Sequence, residues 1–355
     1  MKKTKKIVLF FHGTCISAQE NPKTYPAKAV SWLARDKRNF ILQLHQNCEE
    51  SSTIIFDGPG AIDDNYSFTE TIKSLMGIID GNIGKSGIQS NLEKARNFIE
   101  EEAQKAEEDV EFEIHAFGYS RGGFAVLLLK FVIQELLQKN IKIKAAYLTA
   151  FDPVPGGPID RLRIPFNFYS CPETNIYVKI YYSHTGNLNI WDKTIQYFPT
   201  KYRLNMLFFS AFKDNTEINF AERYSNNTQQ YEHHSEAYIV PANHEGIIGQ
   251  YMNEIEEHAG YVTLAHVLAT SPVSFNPLWK ENAITQGITG SSKLKQLNVS
   301  CMPGRKFLEE KWFYCFIPRD ITKKDNINSI LDINFSNLNP NQSQNNNVEK
   351  ISCAI

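Results

Sequence analysis

Short apolar runs alternate with longer helical patterns through about the first 270 residues of the chain. Ile7–Phe11 is a continuous apolar run of the kind found in strands that are buried on both faces. Further strands are predicted at 53–56, 110–117, 144–151, 175–183 and 237–240. This alternation predicts an α/β fold with a mostly parallel central sheet that is flanked by helices.

Three helices are predicted between and after these strands. From Ile88 to Ala106 apolar residues recur at helical spacing, and charged residues occupy the other face. The stretch Phe124–Lys139 is apolar nearly all round, as expected of a buried helix. The third helix, Tyr261–Ala269, is ended by the following Ser271-Pro272 pair.

The pattern also divides the chain. Residues 1–270 are predicted to form one catalytic domain, with an aromatic-rich insertion at about 185–232. An accessory C-terminal extension is expected over 271–335. The last segment, 336–355, is rich in Asn, Gln and Ser, and we expect it to be flexible because it has too little apolar surface to fold.

Composition excludes several classes of function. The chain is 42% hydrophobic and 21% charged, with a formal net charge of −2, which gives no electrostatic basis for nucleic-acid binding. Its six cysteines contain no C-x-x-C pair and indicate neither a disulfide framework nor a zinc site. Neither a signal peptide nor a transmembrane segment is predicted, so we expect the protein to be cytoplasmic as synthesised.

The most informative motif is Gly118-Tyr119-Ser120-Arg121-Gly122. A G-x-S-x-G pentapeptide is short, but this one lies between a predicted strand and a long apolar helix. In that context the serine occupies a sharp strand-to-helix turn that exposes its hydroxyl at the top of the sheet. The sequence therefore predicts an α/β-hydrolase-like fold, with Ser120 as the nucleophile of a serine hydrolase.

A serine nucleophile of this kind works with a base and an acid. Asp152 closes the next predicted strand at the same edge of the sheet as Ser120, and it is the predicted acid. Asp192 and the polar cluster near His184 stay as alternatives, because the acid of this fold usually lies one strand later. His244 follows the last predicted strand on a short loop and is the predicted base.

Backbone donors for the oxyanion are expected on both sides of the nucleophile. The N–H of Arg121 is the first predicted donor, and Gly13 or Thr14 supplies the second from the turn after the first strand. His12 in the same turn is predicted to order the loop, since neither a carboxylate nor a second histidine lies at ligand spacing from it. The chemistry requires no metal and no cofactor.

Several of these motifs resemble those of the type VI secretion phospholipase effectors and their relatives of unknown function. Their opening F-D-G-T turn corresponds to Phe11–Thr14. Their elbow, G-F-S-R-G-A-F, corresponds to Gly118–Phe124, and their W-D-T-V-G turn corresponds to Phe151–Gly156. Their F-P-G-V-H-S-D-V-G-G-G-Y stretch aligns without gaps with Val240–Tyr251.

The resemblance covers residues 7–270 and departs at His12 and Gly246, where the family has aspartate. It implies a lipase or phospholipase that cleaves esters through an acyl-enzyme formed on the predicted serine. It also implies transient contact with a membrane, a secretion chaperone or activator as a partner, and delivery outside the cell by a bacterial secretion system.

Two other functions are consistent with the same residues. The first is a soluble esterase or thioesterase that acts on a small molecule, and activity on short soluble esters without a rise above the micelle threshold would favour it. The second is a catalytically inactive hydrolase fold that is used for binding. The intact set of serine, aspartate and histidine argues against that second function.

Overall fold

The structure is a computed structural model, and it describes residues 3–17, 39–62, 67–76, 85–107, 109–153, 175–183, 234–250, 253–299 and 327–333. Seven strands lie within these ranges: β1 Thr4–Phe11, β2 Ser52–Phe56, β3 Glu111–Tyr119, β4 Ile143–Phe151, β5 Asn175–Ser183, β6 His234–Val240 and β7 Ile327–Ser329. The α-helices described are α1 Phe40–Gln46, α2 Phe68–Met76, α3 Ile88–Gln104, α4 Arg121–Gln138, α5 Glu254–Thr270 and α6 Pro277–Gln296. Short 3₁₀ turns occupy Gly246–Ile248 and Ile330–Asp332.

The strands form one sheet in the order β2-β1-β3-β4-β5-β6-β7. Every pair of neighbours in this order is parallel. The predicted α/β fold with a parallel central sheet is therefore confirmed. Because the strands are parallel, their carboxyl ends meet at one edge of the sheet, where open α/β sheets bind their ligands.

The sheet carries an apolar core on each face, as the apolar run in β1 indicates. Ile7 and Leu9 face the core that α3 and α4 cover, whereas Val8 and Phe10 face the core that α1, α5 and α6 cover. This alternation follows from the two-residue period of a strand. Within the part of the chain that the structure describes, none of the helices combines the length and the apolar character needed to cross a membrane.

The ends of β1 to β6 lie within three residues of the predicted ones. β5 spans Asn175–Ser183, as predicted, and β4 begins one residue earlier than predicted. β3 continues past the predicted end to Tyr119, so the strand reaches the residue before Ser120. β6 begins at His234, three residues before the predicted start, because this polar segment pairs with β5 from Tyr177 onward.

Several elements were not predicted from the sequence. Helix α1 is one of them, and it begins at Asn39, whose side chain accepts a hydrogen bond from the Ile41 N–H at 2.8 Å. Helix α6 begins in the same way at Asn276. It packs against α5 at Gly287, where an added Cβ would overlap Ala265. Close helix contact through glycine gives a weak apolar pattern, which is why the periodicity did not reveal this helix.

The predicted division of the chain at residue 270 stays a prediction. Helix α6 and strand β7 fall in the segment assigned to the accessory extension. In the structure, α6 contributes to the core on one face of the sheet, and β7 pairs with β6 from Ile327 to Ser329. The insertion at 185–232 and the tail at 336–355 lie outside the described residues.

An aromatic layer crosses the sheet just below its carboxyl edge. Tyr119, Phe151, Tyr181 and Tyr238 stand side by side in the register of β3 to β6. Phe151 stacks on Tyr181, and Tyr181 stacks on Tyr238, with ring centroids 5.4 Å apart in each pair. Rings at this spacing stabilise the pairing of neighbouring strands. The layer gives the residues that follow it a rigid base.

Helix α5 covers this layer with a buried histidine. His266 Nδ1 lies 2.8 Å from the hydroxyl of Tyr181. Burial, together with the positive charge of Lys179, lowers the pKa of His266 from 6.5 to about 3. The folded protein therefore keeps this ring neutral, whereas the unfolded chain protonates it below about pH 6.5.

This difference predicts that His266 makes folding pH-dependent. Its contribution is fully present above pH 6.5 and is lost progressively as the pH falls towards 3, because the unfolded state then binds one more proton. The free energy of unfolding should fall by about 1.4 kcal/mol per pH unit from this one group. In His266→Asn, the loss of stability relative to wild type should therefore shrink as the pH falls.

Urea unfolding at several pH values measures this effect. Tyr181→Phe is the matched control, because it removes the same hydrogen bond without removing a group that titrates in this range. Its loss of stability should be the same at each pH. If the loss of stability in His266→Asn were also the same at each pH, His266 would not be the source of the pH dependence.

Candidate active site

Ser120 occupies the turn between β3 and α4. Its backbone has φ 54° and ψ −122°, a conformation that non-glycine residues adopt at a cost of about 1–3 kcal/mol. The turn is held because the Ser120 N–H donates to the Phe151 carbonyl at 2.9 Å and its own carbonyl accepts from the Phe124 N–H. The predicted strand-to-helix elbow is thus present, with the serine at its apex.

The elbow is closed by glycines that leave no space for a side chain. A Cβ on Gly118 would overlap the Gly122 carbonyl, and a Cβ on Gly122 would overlap the carbonyls of Phe11 and His12. These contacts bring the end of β1 against the first turn of α4. The two glycines of the G-x-S-x-G motif are therefore required by packing between backbones.

His244 connects Ser120 to Asp152. Its Nε2 lies 3.0 Å from Ser120 Oγ, and its Nδ1 lies 2.6 Å from Asp152 Oδ2. The side chain of His244 is 25% exposed, whereas that of Asp152 is 4% exposed, so the imidazole borders the solvent and the carboxylate does not. We call this arrangement the Ser–His–Asp chain. Its three residues follow β3, β4 and β6, which are the positions that the sequence predicted.

The carboxylate of Asp152 is held by the neighbouring strand. Asp152 follows β4, and its N–H donates to the Tyr181 carbonyl at 2.7 Å. Ser183, the last residue of β5, donates from its N–H to Oδ1 at 3.1 Å and from its hydroxyl to Oδ2 at 2.5 Å. The sequence analysis missed Ser183. The signal that points to it is a polar residue ending the strand next to the acid.

These contacts determine the charge of Asp152. Burial by itself raises the pKa of the carboxyl group. The hydrogen bond and positive charge of His244, together with the two hydrogen bonds from Ser183, outweigh burial and lower the pKa below 3.8. Asp152 is therefore ionised at neutral pH, and it orients His244 with the Nδ1–H towards the carboxylate and Nε2 towards Ser120.

The turn after β1 lies directly against the nucleophile. A Cβ on Gly13 would lie 2.6 Å from the Tyr119 ring and 3.3 Å from the Cβ of Ser120. Neither the Gly13 N–H nor the Thr14 N–H donates a hydrogen bond to another described residue. Arg121 begins α4, so its N–H is at the amino end of that helix, beside Ser120. Gly13 and Arg121 thus lie beside Ser120, and the role of Gly13, Thr14 and Arg121 as oxyanion donors stays a prediction.

The loop after β2 packs against the turn after β1 and supports it. Gly58, after β2, packs so closely that a Cβ there would overlap the Gly13 carbonyl. Its N–H donates to the Ile16 carbonyl at 2.8 Å, and the Cys15 N–H donates to the Pro59 carbonyl at 2.9 Å. Together these contacts fix the backbone that carries the two predicted donors of the turn.

His12 lies at the start of the same turn. Its backbone N–H donates to the Phe56 carbonyl at 3.0 Å, while neither ring nitrogen has a hydrogen-bond partner among the described residues. Burial, with a smaller effect of His45, lowers the pKa of His12 to about 3, so the ring is neutral. Its role in ordering the loop stays a prediction. Asp192 and His184, which mark the alternative positions for the acid, lie outside the described residues.

No group of three or more His, Cys, Asp or Glu side chains among the described residues is arranged to hold a metal ion. The Ser–His–Asp chain consists of a hydroxyl, an imidazole and a carboxylate whose chemistry is proton transfer and nucleophilic attack. A hydroxyl, an imidazole and a carboxylate in this order are the groups that acyl transfer on a serine uses.

Comparison with protein-family profiles gives no match, and comparison with curated protein sequences also gives none. Similar solved structures include the Tle1 effector bound to the VgrG spike of the type 6 secretion system, at 13% identity and a TM-score of 0.29, covering 51% of this chain and 45% of that chain. An uncharacterised protein from Pseudomonas aeruginosa is similar at 12% identity and a TM-score of 0.42, covering 81% and 49%.

A third similar structure is the peroxisomal α/β-hydrolase Lpx1 from Saccharomyces cerevisiae, at 12% identity and a TM-score of 0.28, covering 83% of this chain and 86% of that chain. The chain spans about half the length of the first two structures. TM-scores this low do not identify an activity.

The packing at the elbow predicts different effects for two adjacent glycines. Gly122→Ala should lower the free energy of unfolding by about 1–3 kcal/mol, because the new Cβ displaces the backbone after β1. Gly123→Ala is the matched control. Its Cβ would lie 3.0 Å from the Gly118 carbonyl oxygen and 3.2 Å from that of Phe151, which needs only a small shift.

Urea unfolding of the two variants at one pH tests this prediction. Alanine is favoured over glycine inside a helix by about 1 kcal/mol. In Gly123→Ala this gain offsets the cost of the short contacts between the new Cβ and the two carbonyl oxygens. We therefore expect Gly123→Ala to stay close to wild type. Equal destabilisation by both substitutions would contradict this account of the elbow.

Proposed function

We propose that the protein is a serine hydrolase that cleaves carboxylic esters through an acyl-enzyme. The observation that carries the proposal is the Ser–His–Asp chain, with contacts of 3.0 Å and 2.6 Å between its members. Three residues far apart in sequence make the two contacts that this reaction needs. The strained elbow supports the proposal, since backbone strain of this kind persists where the fold exposes a nucleophile.

In the proposed reaction, Ser120 Oγ attacks the carbonyl carbon of the ester while its proton passes to His244 Nε2. The N–H groups of Arg121 and of Gly13 or Thr14 stabilise the oxyanion. The tetrahedral intermediate expels the alcohol, which takes the proton from His244, and the acyl group stays on Ser120. A water molecule then attacks the acyl carbon while His244 takes its proton. The bond to Ser120 Oγ breaks, Oγ recovers the proton from His244, and the carboxylic acid is released.

Asp152 does not exchange a proton in this scheme. Its buried carboxylate lies against the Nδ1 of His244 and stabilises the positive charge that the imidazole carries between the two transfers. The low pKa of Asp152 is consistent with this role, because the carboxylate then stays ionised at the pH at which His244 must be neutral.

We further propose that the ester is a lipid, with a phospholipid as the first candidate. The resemblance of the motifs in residues 7–270 to those of the phospholipase effectors supports this choice. On the same basis we propose transient contact with a membrane during catalysis, and export with a chaperone or activator. A soluble esterase or thioesterase is the alternative outcome of the substrate test.

Labelling with a fluorophosphonate probe tests the nucleophile. Wild type should react, because the activated Ser120 hydroxyl attacks phosphorus and expels fluoride. Ser120→Ala should abolish the labelling, and His244→Ala should reduce its rate by roughly 10⁴-fold or more, since the two residues act as a unit. A folded wild-type protein that does not react would contradict the proposed chemistry and would favour a binding role.

Phosphatidylcholine vesicles and p-nitrophenyl butyrate distinguish the two substrate classes. We expect wild type to release fatty acid from the vesicles and Ser120→Ala to release none, with products followed by mass spectrometry. Activity on the short ester together with none on vesicles or micelles would retain the serine hydrolase and replace the lipid substrate by a soluble one.

A further inference from the structure

The strongest feature that the proposed reaction leaves unused is the contact between Ser183 and Asp152. The Ser183 N–H is 3.1 Å from Oδ1, and the Ser183 hydroxyl is 2.5 Å from Oδ2. Ser183 thus spans both oxygens of the carboxylate and fixes its plane. Both residues are buried, so water does not compete freely for these bonds.

The geometry also decides which oxygen His244 uses. Oδ2 receives the Ser183 hydroxyl at 2.5 Å and lies 2.6 Å from His244 Nδ1, whereas Oδ1 receives the Ser183 N–H. A carboxylate that is free to rotate would offer either oxygen. With Ser183 in place, the orientation of Asp152 is settled before the imidazole becomes charged.

We propose that Ser183 is the positioning residue of this site, holding the Asp152 carboxylate so that Oδ2 faces His244 and tuning how strongly His244 retains its proton. This proposal rests on the proposed ester hydrolysis and deepens it. Ser183 does not touch the reacting atoms, since it acts through Asp152.

The negative charge on Asp152 Oδ2 determines whether Ser183 raises or lowers the proton affinity of His244. The Ser183 hydroxyl donates to the oxygen that also faces His244, and it therefore withdraws negative charge from that oxygen. Without the hydroxyl, Oδ2 becomes a stronger base and favours the protonated imidazole. His244 would then need a higher pH to lose its proton and act as the base.

Other titratable groups lie near the Ser–His–Asp chain, but none of those described below takes the place of Ser183 as a hydrogen-bond donor to Asp152. The Tyr119 ring packs on the His244 ring, with centroids 4.7 Å apart. Arg121 begins the helix after Ser120, and His12 is a buried neutral ring in the turn after β1. The pKa of Asp152 is set by burial, which raises it, and by His244 and Ser183, which lower it.

Ser183→Ala tests the proposal. We expect the acid limb of the pH profile of kcat/KM on p-nitrophenyl butyrate to move up by about one pH unit, a tenfold change in proton affinity. We also expect kcat to fall about tenfold with KM unchanged, because positioning of His244 affects the transition state more than substrate binding. Ser183→Thr retains the hydroxyl and should restore the profile.

Ser52→Ala is the matched control. Ser52 is also buried, and its hydroxyl also donates to a carboxylate, that of Glu102, but it starts β2 at the opposite edge of the sheet. This variant should lose stability in the same way as Ser183→Ala. Its acid limb should coincide with that of wild type. The comparison therefore separates the general effect of losing a buried hydrogen bond from a change in the proton affinity of His244.

A second measurement does not depend on activity. The ring resonances of His244, assigned by their absence in His244→Gln, are followed by NMR as the pH is varied. The midpoint for Ser183→Ala should lie about one unit above that of wild type, and that for Ser52→Ala should coincide with wild type.

The outcomes separate the two proposals. A folded Ser183→Ala protein with the wild-type His244 midpoint and the wild-type acid limb would overturn the role of Ser183 and leave ester hydrolysis in place. A shifted His244 midpoint in a protein whose wild type neither labels nor hydrolyses esters would uphold the positioning role and reject the proposed reaction.

Discussion

The register of the central strands is the constraint on which the site depends. Tyr119, Phe151 and Tyr181 stand at one level of β3, β4 and β5, so the residues after each strand emerge together at one edge. The Ser120 N–H and the Asp152 N–H continue the ladder onto the neighbouring strand. A slip of one residue would turn every side chain of a strand to the other face and separate the hydroxyl from the carboxylate.

A second constraint is the close approach of backbones around the nucleophile. The turn after β1, the loop after β2 and the first turn of α4 meet at Gly13, Gly58 and Gly122, where side chains do not fit. These contacts let the three backbone segments approach more closely than side chains would allow. Ser120 lies among them in a strained conformation, which its backbone hydrogen bonds to Phe151 and Phe124 hold in place.

Local sequence patterns predicted the sheet and the residues at its edge, because Ser120 and Asp152 directly follow strands with a clear apolar signal and His244 lies on the short loop after another. The structure brings the three together, and their catalytic roles stay a prediction. Ser183 ends a strand whose bounds were predicted, yet its contact with Asp152 depends on register between strands, which no local pattern encodes. Helix α6 escaped prediction because small buried residues such as Gly287 blur its apolar face.

The long sequence separation within the Ser–His–Asp chain has a consequence for folding. His244 is 124 residues from Ser120 and 92 residues from Asp152. Contacts between such distant segments form late, because the chain entropy lost in closing them is repaid only when the intervening strands are paired. Synthesis from the amino end therefore makes the residues of the elbow available before those of the complete site. The contact between His244 and Ser120 that the proposed reaction needs forms only once β6 has joined the sheet.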